Sequence, residues 1–461
     1  MALVVPFRGI SFNPNKIKNF QEVVAPPYDV ISPSLQDLLY QRSPHNMVRL
    51  ILNKENPDDT PTNNRYTRSA ALYQDWLKEG ILIRARQPHF YFLQEEFTVP
   101  LAIHQKNSSS PGKRVRRGFI GLIRLENLDT GVVLAHEKTQ AKPKADRLAL
   151  MEACRANISQ IFSIYPDEEG TFAPIYGNVF TKAAPSLDIL DDEGIRRKLW
   201  PVEDPAILHR VSDTMRAKKI FIADGHHRYE TALAYRDRQR QHFPGASGRE
   251  PYHYAMMYFA AMEDKGVCIL PTHRVVSHLK DFFPERFLRE LETDFSIKAF
   301  VFDTRSEERV RNQMLEDLAQ RSRQTRSLGM RLQGRNQYFL LSLKNEEAMV
   351  EAASDMSPAL RSLDVNLLHV LVFQKCLNIQ VGDLTAGQYV SYFKEPEEAA
   401  LALASGKGEI AFFLNPTQVH QVRDVGLAGE TMPSKSTFFY PKMLSGLVIN
   451  SLEGDEEIIE F

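Results

Sequence analysis

Lys219-Ile220-Phe221-Ile222-Ala223-Asp224-Gly225-His226-His227-Arg228-Tyr229-Glu230 runs four apolar residues straight into a polar corner and out into a helical pattern. Ile220 to Ala223 has the length and side chains of a buried strand. Tyr229, Ala232 and Leu233 fall at i, i+3 and i+4, the spacing of one helix face. The stretch therefore predicts strand, corner, helix, with one carboxylate, two imidazoles and one guanidinium gathered at the corner beside a glycine that permits close approach of backbone or ligand.

A corner at a helix N-terminus has unpaired N–H groups and the positive end of the macrodipole, which favour phosphate, and Arg228 adds a planar fork suited to it. Gly225, His226, His227 and Arg228 are thus candidates for a phosphate cradle. Asp224 does not bind phosphate directly; it would hold a magnesium ion, cap the helix, or orient His226 or His227. An aspartate cap with two surface histidines is the structural alternative and stays open at this point. Zinc is disfavoured, because adjacent histidines diverge and the chain has neither CxxC spacing nor HExxH.

The corner sits in a chain of 461 residues, long enough for two to three domains. Hydrophobic residues make up 43% and charged residues 25%, which excludes a disordered or fibrous class. The net charge of -1 argues against broad nucleic-acid binding, and the three cysteines imply no disulfide framework. No run approaches a membrane span and the start lacks a signal-peptide pattern, so a cytoplasmic protein without membrane partners is expected.

Working outward, Ala25-Pro26-Pro27-Tyr28-Asp29 fixes an extended path, and Ser32-Pro33 is a cap followed by proline at the first helical position. Asn53 to Asn64 reads as a loop before a helix from about Arg65 to Glu79. Phe90 to Val99 and Arg116 to Leu125 read as paired strands joined by a Ser/Gly/Pro/Lys-rich link over 104–114, with Lys113 to Arg117 as a solvated loop end. Leu134-Ala135-His136-Glu137 precedes a helical run over Ala145 to Ala156, which makes the His136-Glu137 pair a catalytic candidate, although glutamate favours any helix start. Pro205 to Arg216 and Asp364 to Cys376 read as amphipathic helices, and Pro271-Thr272-His273-Arg274 repeats the strand-then-His-Arg theme. Glu409 to Leu414 is a strand, with Asn415 to Thr417 as cap of the next helix. Near the end, Pro433-Ser434-Lys435-Ser436-Thr437 sets a lysine among hydroxyls, a composition that suits carboxylate or phosphate as well as an ordinary solvated loop.

Three of these elements resemble the free-serine kinases of the ParB/sulfiredoxin-like superfamily. Ile222 to Tyr229 matches their Asp-Gly-His-His-Arg motif, Ala135-His136-Glu137 is similar to their Pro-His-Glu motif, and Gly408-Glu409-Ile410 through Lys435-Ser436-Thr437 and Pro441 looks like their closing Pro-Lys-Thr-Thr segment. The likeness covers roughly 130–235 and 385–453. The whole chain also resembles an uncharacterised bacterial and archaeal family sharing Ala-Pro-Pro-Tyr-Asp, His-Glu-Lys-Thr and Ala-Asp-Gly-His-His-Arg-Tyr.

The resemblance implies an α+β chain, with an N-terminal α+β region (1–125), a ParB/sulfiredoxin-like nucleotide-binding core (126–280) and a C-terminal α/β or α+β substrate-binding domain (281–461). It implies phosphoryl transfer from ADP or ATP, with Mg2+, to the hydroxyl of L-serine or a related small molecule. Glu137, Asp224 and His226 would then be catalytic, and Gly225, His226, His227 and Arg228 would bind the nucleotide. His136, Lys435, Ser436 and Thr437 would hold the acceptor, and Asp224 the metal. Because relatives in that superfamily use the same corner to bind CTP and clamp DNA, a nucleotide-responsive regulatory or binding protein without turnover is the alternative. Phe438 and Phe439 stand where the kinases carry Arg-His, and the 1–125 region has no counterpart in them.

Overall fold

The strand expected at the corner runs from Ile220 to Asp224 within a nine-stranded mixed sheet. The computed structural model describes residues 1–99, 112–139, 141–380, 389–454 and 457–460. It comprises two units. The first is Met1–Thr98, Lys113–Val267 and Pro441–Phe461; the second is Val99–Gly112 and Cys268–Tyr440.

In the first unit the large sheet is built from β1 (Val4–Val5), β2 (Phe90–Thr98), β3 (Lys113–Arg124), β4 (Val133–Leu134), β5 (Ile161–Tyr165), β6 (Leu187–Leu190), β7 (Arg196–Val202), β8 (Ile220–Asp224) and β9 (Tyr254–Ala261). Their order is β4-β8-β5-β9-β3-β2-β7-β6, with β1 on β3. The β4/β8 and β5/β9 pairs are parallel and the other neighbours antiparallel. Every residue of β5 and β9 is buried, and both read as near-continuous apolar runs, as strands covered on both faces do. One face carries the main core, where Phe119 stacks on Phe172 and Phe259 at 5.4 and 5.1 Å, and Ile220, Ile222, Tyr229 and Ala232 join it.

The helices of this unit include α1 (Arg65–Lys78), α2 (Ala141–Cys154), α3 (Pro205–Arg216) and α4 (His226–His242), with α2 packed against both α1 and α4. Their starts follow local chemistry. Asn64 closes a capping box with Thr67 ahead of α1, and Ser32 accepts from the N–H of Leu35 at the helix Pro33–Arg42.

The second unit is an antiparallel six-stranded sheet, β10 (His273–Val276), β11 (Phe295–Val301), β12 (Ser327–Leu332), β13 (Gln337–Leu343), β14 (Val390–Phe393) and β15 (Ile410–Phe413), in the order β11-β13-β12-β15-β10-β14. Cys268–Leu270 pairs separately with Phe438–Tyr440. A helix over Glu307–Arg321 and another over Pro396–Ala404 pack on the sheet.

Several expectations change. The division at 125 and 280 does not match the units, because β2 and β3 lie in the same sheet as β8 and β9, and the second hydrophobic core, gathered from residues between Ile10 and Leu82, is closed by Leu150, Cys154, Ala156, Ile158 and Ile449. The second unit is antiparallel, hence α+β rather than α/β. The Lys113 to Arg117 cluster is strand rather than solvated loop, and its Arg116 is fully buried. Asp364 to Cys376 is not amphipathic: Asp364–Leu367 is α-helical, Leu368–Gln374 is π-helical, and Val365 to Phe373 is buried throughout. The helix after β15 starts at Val419 and is capped by Gln418 rather than by Asn415 to Thr417. Residues 104–111 of the expected link lie outside the described residues.

Candidate active site

The corner is set by one distortion and one glycine. The register of β8 against β5 shifts between Ile222 and Asp224, a bulge of the kind that re-aims side chains beside active sites. Gly225 then takes φ 96°, a left-handed conformation costly for a residue with Cβ, and α4 begins at His226. A Cβ on Gly225 would lie 2.7 to 2.8 Å from the Arg228 guanidinium. The first-turn N–H groups of α4 therefore open at the end of β8, where no intrahelical carbonyl takes them.

Arg228 folds back over this turn. Its Nη2 donates to Asp224 Oδ2 at 2.7 Å and its Nη1 donates to the carbonyl of Gln160, leaving Nε without a partner. The other oxygen of Asp224, Oδ1, accepts from Lys442 Nζ. Burial alone would raise the Asp224 carboxyl, but Lys442 and Arg228 outweigh it and hold the group well below the usual carboxylate range. Asp224 is thus an ionised anchor for two cations.

The backbone that carries Lys442 is held by a second ionic cluster. Glu95, fully buried, accepts from Arg116 Nε at 2.7 Å and from Arg197 Nε at 3.0 Å. The same guanidiniums donate to the carbonyls of Pro441 at 2.8 Å and Lys442 at 3.0 Å, so an ionic cluster between β2, β3 and β7 holds the backbone from which Lys442 projects. The sequence reading gives Lys435 a role and Lys442 none. Nothing local marks Glu95 as the reason.

Two imidazoles feel the Asp224 charge. The His136 and His226 rings meet edge to face at 4.6 Å, and both are buried. The peptide N–H of His136 donates to His226 Nε2 at 3.3 Å, which leaves the proton of the neutral ring on Nδ1. Nδ1 faces Glu137 Oε2 at 3.9 Å, and the Glu137 side chain is 30% exposed. Burial pushes His136 down to about 4. Burial and the neighbouring His136 push His226 well below its ordinary value, so both rings are neutral at pH 7. The segment after Glu137 is tied to α4, with Thr139 Oγ1 and Lys144 Nζ both donating to Glu230 Oε2, at 2.7 and 2.8 Å.

The structure therefore brings together His136, Glu137, Asp224, Gly225, His226, His227 and Arg228, all in the first unit. Tyr28 joins them, unassigned by the sequence reading: the Arg147 guanidinium lies 4.0 Å over its ring, and both line a cavity with Asn157, Arg228 and Thr231. Lys435, Ser436 and Thr437 belong to the second unit. There Lys435 has φ 61°, Ser436 Oγ donates to the carbonyl of Pro433, and Thr417 Oγ1 donates to that of Ser436 at 2.8 Å. Phe439 is buried against the Cys268–Leu270 strand, and Lys394 Nζ lies 4.2 Å over the Phe438 ring. Among the described residues no group of three or more His, Cys, Asp and Glu side chains is arranged to hold a metal ion, and no helix is long and apolar enough to cross a membrane.

Among solved structures the chain is similar to SbnI with a C-terminal truncation from Staphylococcus aureus, at 12% identity and TM-score 0.34 over 73% of this chain and 90% of that one. It is also similar to a free serine kinase in complex with AMP, at 11% identity and TM-score 0.31 over 72% and 90%. A third likeness is to a conserved hypothetical protein from Pyrococcus furiosus, at 12% identity and TM-score 0.29 over 68% and 90%. No curated protein matches the sequence. A family model matches residues 4–366, most of the chain, and the protein belongs to the family described as a protein of unknown function (DUF1015).

Proposed function

We propose that this protein is a small-molecule kinase that moves a phosphoryl group from ADP or ATP to a hydroxyl, with L-serine the first acceptor to test. The first unit would supply a ParB/sulfiredoxin-like nucleotide core. The observation that carries the reading is the placement of a partly exposed carboxylate, Glu137, beside a buried neutral imidazole at the open N-terminus of α4.

Phosphoryl transfer asks the protein mainly for positioning, charge neutralisation and a group to take the hydroxyl proton. The first-turn N–H groups of α4, the unpartnered Nε of Arg228 and the open turn at Gly225 fit a phosphate chain. The nucleotide, when bound, supplies the transferable phosphoryl group. Glu137 accepts the acceptor's hydroxyl proton, and His226 Nδ1–H orients that carboxylate without itself being charged. Lys442 and Arg228, locked on Asp224, keep positive charge beside the phosphates. Lys435, Ser436 and Thr437 remain the proposed acceptor contacts. The corner does not fit a magnesium ion held by protein groups alone, since both oxygens of Asp224 face cations.

Purified protein given ADP or ATP, with and without magnesium, and L-serine should yield O-phosphoserine by mass spectrometry, and Glu137→Gln should abolish it while still binding nucleotide. A Glu137→Gln protein with undiminished turnover removes the base assignment. Nucleotide binding without product across a panel of hydroxylated metabolites favours the alternative of nucleotide-responsive regulation, for which the pinned state of Asp224 is the supporting observation.

A further inference from the structure

Six arginines are buried among the described residues: Arg116, Arg147, Arg197, Arg236, Arg274 and Arg311. Five of them hold a carboxylate: Arg116 and Arg197 share Glu95, and Arg147, Arg236 and Arg311 hold Asp146, Asp237 and Glu307. Arg274 has none. It sits on β10 at 1% exposure, and its guanidinium donates only to two carbonyls, from Nη1 to Thr272 and from Nη2 to Lys435 at 3.3 Å. Its Nε has no partner. The guanidinium lies 5.7 Å over the Tyr392 ring, and burial lowers it to about 10.

A buried cation without an anion is costly, and proteins pair such groups or use them. Arg274 lines a cleft within the second unit together with Thr272, Asp364, Asn415, Thr417 and Ser436. The π-helical turn Leu368–Gln374 lies near the same arginine, because Arg274 is among the causes that push the buried His369 down to about 3. Such turns recur at functional sites. We infer that this small cleft binds an oxyanion, a carboxylate or phosphate group, which takes the open Nε–H of Arg274 beside Asn415. The site is independent of phosphoryl transfer and of any nucleotide.

The test uses the full chain and two probes, inorganic phosphate and acetate, titrated by calorimetry at constant ionic strength against chloride. To separate this site from the corner in the first unit, the titrations are run in Arg228→Met. That background should keep one saturable oxyanion site, and whichever probe binds more tightly identifies the oxyanion. Adding Arg274→Lys, which keeps the charge but loses the fork, should weaken it tenfold or more. Asn415→Asp, nearly isosteric, should do the same by setting a negative charge beside the bound anion. If Arg274→Lys fails to fold by circular dichroism, Asn415→Asp decides alone. Absence of a saturable site in Arg228→Met, or a site that a folded Arg274→Lys or Asn415→Asp leaves unchanged, overturns the inference.

Discussion

Lys442 reaches Asp224 across 218 residues of sequence, and its Nζ occupies Oδ1 while Arg228, four positions from Asp224, takes Oδ2. The C-terminal segment thereby completes the charge of a corner formed two hundred residues earlier, and the completion is sturdy because both side chains are less than a fifth exposed.

Replacing that lysine should uncover the dependence. Lys442→Met leaves a buried carboxylate with one cation instead of two, so stability should fall by about 1 to 3 kcal/mol, and ADP affinity should drop roughly tenfold. Urea unfolding and calorimetry read the two effects. Unchanged values in both would mean that the pair is incidental.

Glu95 makes a stronger demand. It is the shared anion of Arg116 and Arg197 with no exposure, so Glu95→Gln leaves two buried guanidiniums short of charge and should cost about 3 to 5 kcal/mol. If the variant folds, Lys442 should lose its aim and nucleotide affinity should fall alongside, whereas a stable variant with full affinity would dissociate the cluster from the site.

At Gly225 the backbone decides. With φ 96°, Gly225→Ala should destabilise by about 1 to 2 kcal/mol and push Arg228 off Asp224. Gly225→Ala unfolding at the wild-type urea midpoint would show that the turn relaxes freely.

The buried histidines predict acid sensitivity with a definite sign. His136 is pushed down to about 4 and His226 further, so between pH 6.5 and 4 the unfolded chain takes up protons that the native state refuses. Stability should therefore fall as pH drops through that window, by about 1.4 kcal/mol per pH unit for each ring. Below the ordinary aspartate value Asp224 adds to the fall, because the unfolded carboxylate takes up a proton that the native one, its value depressed, refuses. His136→Gln should reduce the slope; an unaltered slope would assign the acid sensitivity elsewhere.

How much was legible follows from range. The strand, corner and helix at 220–242 were readable because each depends on neighbours within four residues: apolar run, glycine, helical spacing. The same holds for the Ser32 and Asn64 caps. The sequence around Arg116 was misread as a solvated charge run because its partner, Glu95, lies on another strand. Asp364 to Phe373 was misread as amphipathic because burial on all sides depends on what packs around a helix, not on its own period. Phe438 and Phe439 looked like an altered substrate contact, yet Phe439 is buried in a two-stranded pairing with Cys268–Leu270.

By itself, then, the chain's sequence determined the corner: four apolar residues, a carboxylate, a glycine, two imidazoles and a guanidinium, whose order makes a strand end face a helix start. Only the tertiary structure decided their chemical states. Burial keeps His136 and His226 uncharged, and Lys442, carried in on backbone that Glu95 holds through two arginines, keeps Asp224 charged. The physical reason is that conformation at a turn is a local steric matter, whereas the charge of a group depends on everything that excludes water from it and on the ions that packing brings near.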